Sequence, residues 1–319
     1  MKSNSMDSSG IPFTKMHGAG NDYVYIYCPS GDVPVEGNSP LPDWMTLPDG
    51  KIDLPALARA VSDRHFGIGG DGLVLILPSD GEADFTMRMF NSDGSEAQMC
   101  GNASRCIALY LHEHGLASHN PVLLSTRAGI KKLRINTDCD GTFESVTVDM
   151  GLPELMPERI PVIPTSESDG VAYVQMESSV GLLEAVAVSM GNPHGVIFLD
   201  STRILDDDLV LGAGPALEHH PAWPEKANIE FVRPLDDGVM EMRVWERGTG
   251  ETLACGTGAC ATAVAALLTG RSGRKTEVRL PGGKLVIEID ASSGHVFMTG
   301  PAATVAEGIY HPALNPPEP

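Results

Sequence analysis

Two cysteines sit in matching surroundings half a chain apart. Residues 87 to 102 read MRMFNSDGSEAQMCGN, and residues 242 to 257 read MRVWERGTGETLACGT. Met87 and Met242, Arg88 and Arg243, Glu96 and Glu251, Cys100 and Cys255, and Gly101 and Gly256 align without a gap at one offset, 255 − 100 = 155. Each cysteine precedes a glycine and a small polar residue, Asn102 or Thr257, at the expected start of a helix. Unpaired backbone N–H groups and the positive end of the helix dipole stabilise an anion at such a position. A thiol with an ordinary pKa of about 8.5 is therefore expected to be partly thiolate near neutral pH. Two such thiols are two candidate bases.

A matched pair suits the inversion of a carbon that bears an acidic hydrogen. One face needs a base, the thiolate, and the other an acid, the thiol; reversing the reaction exchanges the roles, so the two groups should be chemically alike. The N–H groups of Gly101, Asn102, Gly256 and Thr257 would hold a substrate carboxylate and stabilise the charge that develops as the α-proton leaves. No cofactor is then required. Nucleophilic catalysis is the second choice, because neither helix start supplies the activating His that it needs. A redox pair is the third, with 155 residues between the thiols and no C-x-x-C. Cys106 and Cys260 fall within apolar helical stretches and read as small buried hydrophobes. Cys28 and Cys139, at a strand end and in a turn, carry no assigned role. The spacings Cys100 to Cys106 and Cys255 to Cys260 do not match zinc ligation, and no metal is expected.

The elements that must position these groups recur in the two halves. Tyr23 to Tyr27 reads as a strand after a turn-rich glycine segment, and residues 29–51 as a surface insertion without chemistry. LPALARAVSDRH is a short amphipathic helix. Gly67, Gly69 and Gly72 show G-x-G-x-x-G spacing, but a helix precedes them and the apolar run Leu73 to Leu77 follows as a strand, the reverse of a dinucleotide fingerprint. ADFTMRMFNSDG is a strand and turn, a helix begins near Cys100, and residues 122–151 are hairpin strands. The second half repeats these types, with Gly191-Asn192 echoing Gly20-Asn21. Each half is expected to hold several strands and one principal helix, with a boundary near DMGLPELMPE. The helix ACATAVAALL has no polar face and must be enclosed on all sides, as inside a curled sheet.

At 319 residues and 42% apolar composition the chain fits two domains of ordinary size. The first ten residues lack the apolar run of a secretory signal, and no stretch approaches a membrane span. A soluble cytoplasmic protein with reduced cysteines is expected. A net charge of −20 argues against nucleic acid and against an anionic membrane surface as partners.

Six segments then occur in a telling order: KMHGAGNDYVYI, RHFGIGGDG, FNSDGSEAQMCGNASRC, GNPHGVIF, WERGTGETLACGTGACATA and GPAATVAEGIYH. Through them the chain resembles the diaminopimelate epimerases, pyridoxal-independent enzymes that interconvert LL- and meso-2,6-diaminopimelate in lysine and peptidoglycan biosynthesis. The resemblance implies an α+β fold of two pseudo-symmetric domains, each a curled mixed β-sheet wrapped round a central apolar helix, with the active site in the cleft between them. It implies a homodimer, a small-molecule substrate and no cofactor. Residues 1–150 would carry Cys100 and residues 151–302 Cys255, with 303–319 returning to the first half. Cys100 and Cys255 match the family's two acid/base residues. Asn21, Asn91, Asn192 and Asn228 match residues that hydrogen-bond the substrate, Arg247 one that grips the distal carboxylate, and His194 and Glu246 residues that tune the thiols, with Glu246 also counted in the binding site.

Two departures stand out. Many members have Phe-Asp-Gln where this chain has Gly70-Asp71-Gly72, and GNASRC replaces the commoner GNGARC. Proline and hydroxyproline racemases share the thiol pair but usually have His after Cys-Gly, where this chain has Asn102; that Asn, with Arg247, favours diaminopimelate. A histidine- or proline-type epimerase and a catalytically silent amino-acid-binding protein are the alternatives.

Overall fold

The apolar runs and their Gly, Pro and Asp punctuation become nineteen strands and four α-helices in a computed structural model, which describes residues 9–37, 39–79, 81–235 and 238–313. The first strands are β1 (Ile11–Gly18) and β2 (Asn21–Tyr27). They are joined by a two-residue turn in which Ala19 and Gly20 both have positive φ, 55° and 83°, the conformation that matches strand twist in a tight hairpin. Then come α1 (Leu54–Ser62), β3 (Gly72–Pro78), β4 (Phe85–Asn91), β5 (Glu96–Ala97) and α2 (Gly101–Glu113). β6 (Val122–Thr126), β7 (Gly129–Thr137) and β8 (Phe143–Gly151) complete the first run.

The second run is β9 (Ser166–Ser168), β10 (Val171–Ser178), β11 (Gly181–Ser189), β12 (Pro193–Phe198), α3 (Asp207–Glu218) and β13 (Asn228–Pro234). It continues through β14 (Met240–Glu246), β15 (Gly250–Thr252), α4 (Gly256–Leu268), β16 (Lys275–Leu280), β17 (Gly283–Ile289) and β18 (Val296–Gly300). The last strand is β19 (Ala303–Tyr310). The chain divides into two units: Asp22–Val146 with the described residues up to Gly18 and from Ala302 on, and Thr147–Pro301 with Ala19–Asn21.

Within the first unit β19 pairs antiparallel with β1, β2 runs parallel to β3, β3 antiparallel to β4, β4 parallel to β6, and β6 antiparallel to β7. The second unit follows the same plan: β12 parallel to β13, β13 antiparallel to β14, β14 parallel to β16, β16 antiparallel to β17. β3, parallel to β2, reads as the continuous apolar run LVLI and is buried from Gly72 to Ile76, because both its faces are covered. The sequence repeat is a structural one, since β14 begins 240 − 85 = 155 residues after β4 and α4 begins 256 − 101 = 155 after α2. Its strand ion pairs recur as well: Arg88 Nε to Glu96 Oε1 at 2.8 Å, Arg243 Nε to Glu251 Oε1 at 2.6 Å.

The helices take two kinds of place. In α4 every residue from Ala259 to Ala266 is buried, and strands β11, β12, β13, β16, β17 and β18 all touch it, as its lack of a polar face requires. The corresponding α2 is buried from Gly101 to Leu111 and even encloses Arg105 completely. α1 and α3 cover the other sheet faces, α1 through Leu57, Ala58 and Val61 and α3 through Leu209, Val210, Ala213 and Leu217. The expectation of one principal helix per half therefore omitted α3. Nor is 29–51 all surface: a 3-10 turn at Asp43–Met45 buries Met45 completely against the core of α1 and β3, which stabilises by about 1.5–3 kcal/mol. The glycine segment before Tyr23 is itself mostly strand β1. Among the described residues no helix is long and apolar enough to cross a membrane.

Candidate active site

Cys100 and Cys255 are the N-cap residues of α2 and α4, both with extended backbone, φ −137° and −114°. The first turn of each helix therefore presents N–H groups without intrahelical acceptors, from Gly101 and Asn102 in α2 and from Gly256 and Thr257 in α4. At α2 the carbonyl of Cys100 accepts from both the N–H and the hydroxyl of Ser104, each at 3.0 Å. Asn102 is buried, and its Oδ1 accepts from Arg105 Nη2 at 2.9 Å. Gly18, at the end of β1, passes so close that a Cβ there would lie 3.0 Å from Arg105 Nη2 and 3.1 Å from the Asn102 carbonyl oxygen. A buried guanidinium thus fixes the helix start beside Cys100. Cys106, one turn on, is fully enclosed, and burial pushes its thiol up to about 12.

Asn91 ends β4 and closes the turn before β5, its Nδ2 donating to Ser95 Oγ at 3.0 Å. It pairs across the sheet with Gly72. A Cβ on Gly72 would come within 2.0 Å of the Phe90 carbonyl oxygen, so the backbone is shaped for glycine at this departure from the family pattern. Beside it, Arg64 bridges Asp22 and Asp71 at 2.8 and 2.9 Å, and Lys15 reaches Asp22 at 3.0 Å. Burial raises the Asp22 carboxyl, but the two cations outweigh it and hold the group below its ordinary value. Asn21 opens β2 next to this network.

The second unit gathers more titratable groups. Cys255 is buried; its Sγ accepts from the Gly258 N–H at 3.3 Å and lies 3.5 Å from Thr257 Oγ1. Glu246, at the end of β14, bonds to the Thr252 hydroxyl and interacts with Cys255. Burial raises the Glu246 carboxyl, Thr252 and His194 oppose this, and Glu230 adds to it. His194 in β12 is fully buried, with Nδ1 donating to Glu230 Oε1 at 2.7 Å and Nε2 3.0 Å from Asn192 Oδ1. Asn228 opens β13 and fastens two segments: Nδ2 donates to the Pro193 carbonyl at 3.0 Å, and Oδ1 accepts from the Arg247 N–H at 2.9 Å. Arg247 is exposed, and its Nη1 donates to the Glu225 carbonyl at 3.0 Å.

The helix-start donors do not act alone on Cys255. Burial pushes the Cys255 thiol well above its ordinary value, Glu246 and Glu230 push it further, and the Thr257 and Gly258 donors pull back without prevailing. The helix start is visible in the sequence, but the enclosure and the two carboxylates that work against its donors are not. Three residues around the site escaped sequence reasoning. Glu230 is fully buried in β13, on the strand face opposite the core residues Ile229 and Phe231; the one signal was an acid inside the apolar run NIEFV. Glu218 is buried too and accepts from Trp245 Nε1 and the Gly248 N–H, each at 2.9 Å, which anchors the turn bearing Arg247. Arg105 is the third. Among the described residues no three His, Cys, Asp or Glu side chains are grouped as metal ligands.

The arrangement offers proton transfer at a capped helix start, once in each repeat. The fold is shared with solved structures of low identity: a hydroxyproline epimerase from Agrobacterium vitis matches with a TM-score of 0.64 at 19% identity over 96% of this chain and 93% of that one. A probable proline racemase from Agrobacterium radiobacter gives 0.65 at 18% over 97% and 94%. The diaminopimelate epimerase family model matches residues 13–156 and 186–305. A diaminopimelate epimerase from Desulfovibrio desulfuricans is 50% identical over 94% of this chain and 98% of its own length, and one from Acetivibrio thermocellus 48% identical over 93% and 97%. This chain belongs to the diaminopimelate epimerase family and is an isomerase.

Proposed function

We propose that the protein interconverts LL- and meso-2,6-diaminopimelate, with Cys100 and Cys255 as the two proton-transfer groups. The observation that carries this reading is the pair of N-capping cysteines at one offset of 155 in a chain of this family. One thiolate takes the α-proton from one face of the carbon while the other residue's thiol delivers its proton to the opposite face; the reverse reaction starts from the exchanged state. N–H groups of Gly101, Asn102, Gly256 and Thr257 hold the α-carboxylate and stabilise the transient negative charge. Asn21, Asn91, Asn192 and Asn228 hydrogen-bond the substrate, and Arg247, with part of its guanidinium uncommitted, takes the distal carboxylate. Glu246 and His194 set the behaviour of Cys255. The two repeats are the two epimerase halves, the first carrying Cys100 and the second Cys255.

The chemistry needs no cofactor, because the thiols move the proton and fixed dipoles stabilise the charge. No disulfide joins any of the six cysteines, and a reducing cytoplasm is the compartment proposed. Assembly as a homodimer rests on the family resemblance, and light scattering tests it. The direct test is incubation with LL- or meso-diaminopimelate in D2O without added pyridoxal phosphate or metal. Deuterium should enter the α-position of either isomer as the other forms. Exchange with proline or histidine but not diaminopimelate, or dependence on an added cofactor, would overturn the assignment.

A further inference from the structure

We propose that Glu230 is a positioning residue of the acid/base centre: its buried carboxylate orients His194 and keeps Cys255 as a thiol between turnovers, so that this cysteine meets substrate as the proton donor. The inference rests on the reading of Cys255 as one of the two proton-transfer groups.

Glu230 has no exposed atoms, and its Oε1 accepts from His194 Nδ1 at 2.7 Å. Oε2 is also buried and has no hydrogen-bond partner. A carboxylate oxygen left so carries a desolvation cost, and an uncommitted lone pair in such a place calls for a role. Its surroundings supply one. A Cβ placed on Gly258 would lie 2.6 Å from Glu230 Oε1 and 3.2 Å from Cys255 Sγ, so only the glycine separates the carboxylate from the thiol. Gly258 is also the residue whose N–H donates to that sulfur. The acid therefore lies against the first turn of α4, where its charge opposes the helix donors that would otherwise favour a thiolate.

The titratable groups facing this point are His194 from β12, Glu246 from β14 and Cys255 from α4 itself; β11 contributes the apolar Val186 and Val188. α3 packs with Ile229 and Phe231 on the other face of β13 and adds none. Of the two acids, Glu246 has a hydroxyl and the thiol itself as partners, whereas Glu230 is fastened only to His194. Through His194 Nε2 the same carboxylate reaches Asn192, a proposed substrate contact. Substrate binding and the thiol's proton are thereby linked through one chain of three side chains, of which Glu230 and His194 are fully buried.

The test measures the alkylation rate of Cys255 by iodoacetamide against pH, read by mass spectrometry of its peptide, in the wild-type chain and in Glu230→Gln. Glutamine keeps an oxygen for His194 Nδ1 but removes the charge. The midpoint of the wild-type curve should lie above the ordinary thiol value of about 8.5, and Glu230→Gln should lower it by about one pH unit or more. Glu230→Asp, which retains the charge, should stay nearer the wild type. Packing alone would not move the midpoint with charge, so an unchanged midpoint in folded Glu230→Gln overturns the proposal. Should that variant not fold, the wild-type curve can still overturn the proposal, through a midpoint at or below the ordinary thiol value. The measurement needs no turnover, so its failure and a failure of the diaminopimelate assay are separate results.

Discussion

A thiol that caps a helix is pulled two ways, and at Cys255 both pulls are visible. The Gly258 N–H and the Thr257 hydroxyl favour the anion, while burial and the carboxylates of Glu246 and Glu230 favour the neutral form. Inversion needs a group that can be found in either state: on the proposed mechanism Cys255 meets one stereoisomer as thiol and the other as thiolate, the state that the first turnover leaves. Replacing either Cys100 or Cys255 by Ala should abolish epimerisation, because removal and delivery occur on different faces. A substrate analogue with a leaving group β to the reacting carbon distinguishes loss of one group from general damage. Elimination requires the proton to be taken but not returned, so each single variant should still expel HX from chiefly one stereoisomer, and the two variants from opposite ones. Chiral chromatography of the unreacted analogue reads this. Full epimerase activity in either Ala variant would sink the two-base reading.

At the scale of elements, the helix starts at Cys100 and Cys255 were legible because a small residue, a glycine and an uncharged apolar run have few other arrangements. Strands with unbroken apolar runs, such as β3, were legible for the same reason. α3 was not. Its sequence, DDLVLGAGPALE, contains Gly212, Gly214 and Pro215, all poor helix formers in isolation, and tertiary packing overrides that preference. Asp206 caps it by accepting from the Leu209 N–H at 2.9 Å, and Gly214 lets Trp245 lie against the helix. A Cβ on Gly214 would stand 2.8 Å from Trp245 Cγ. Gly214→Ala should therefore lose stability despite alanine's better propensity, by about 1–3 kcal/mol for an overpacked core, measured as a lower urea midpoint at unchanged slope. A stabilised variant would mean that propensity, not the tryptophan contact, governs the position. Glu230 was illegible on similar grounds, since one acid in an apolar strand says nothing of the partner it faces until β12 and α4 are placed beside it.

Across the whole molecule the duplication is close but not complete, and its main asymmetry lies at β1. In the second unit β11 finds its partner, β10, across a tight hairpin from Ser178 to Gly181. Among the described residues the first unit has no strand before β1; the corresponding edge is filled by β19, in register from Ile11 with Tyr310 to His17 with Ala303, with one irregularity between Lys15 and Met16. Sequence repeats cannot reveal such a pairing, because the partner comes from the far end of the chain and forms only after a loop of nearly the full length has closed. β19 also touches α2, the helix that Cys100 caps. Deleting the chain from Ala303 onward should therefore do more than trim an end. It should leave a row of β1 N–H and C=O groups unpaired and uncover part of a unit whose Ile11 and Met16 are now fully buried. Hydrogen exchange followed by mass spectrometry should show β1 and the first turn of α2 losing protection, while α4 and β13 keep theirs. Thermal unfolding should split, the first unit melting earlier than the second. A truncated chain with wild-type protection in β1 and a single unshifted transition would show that β1 is held by β2 alone, and that the returning strand contributes nothing to the ground on which Cys100 stands.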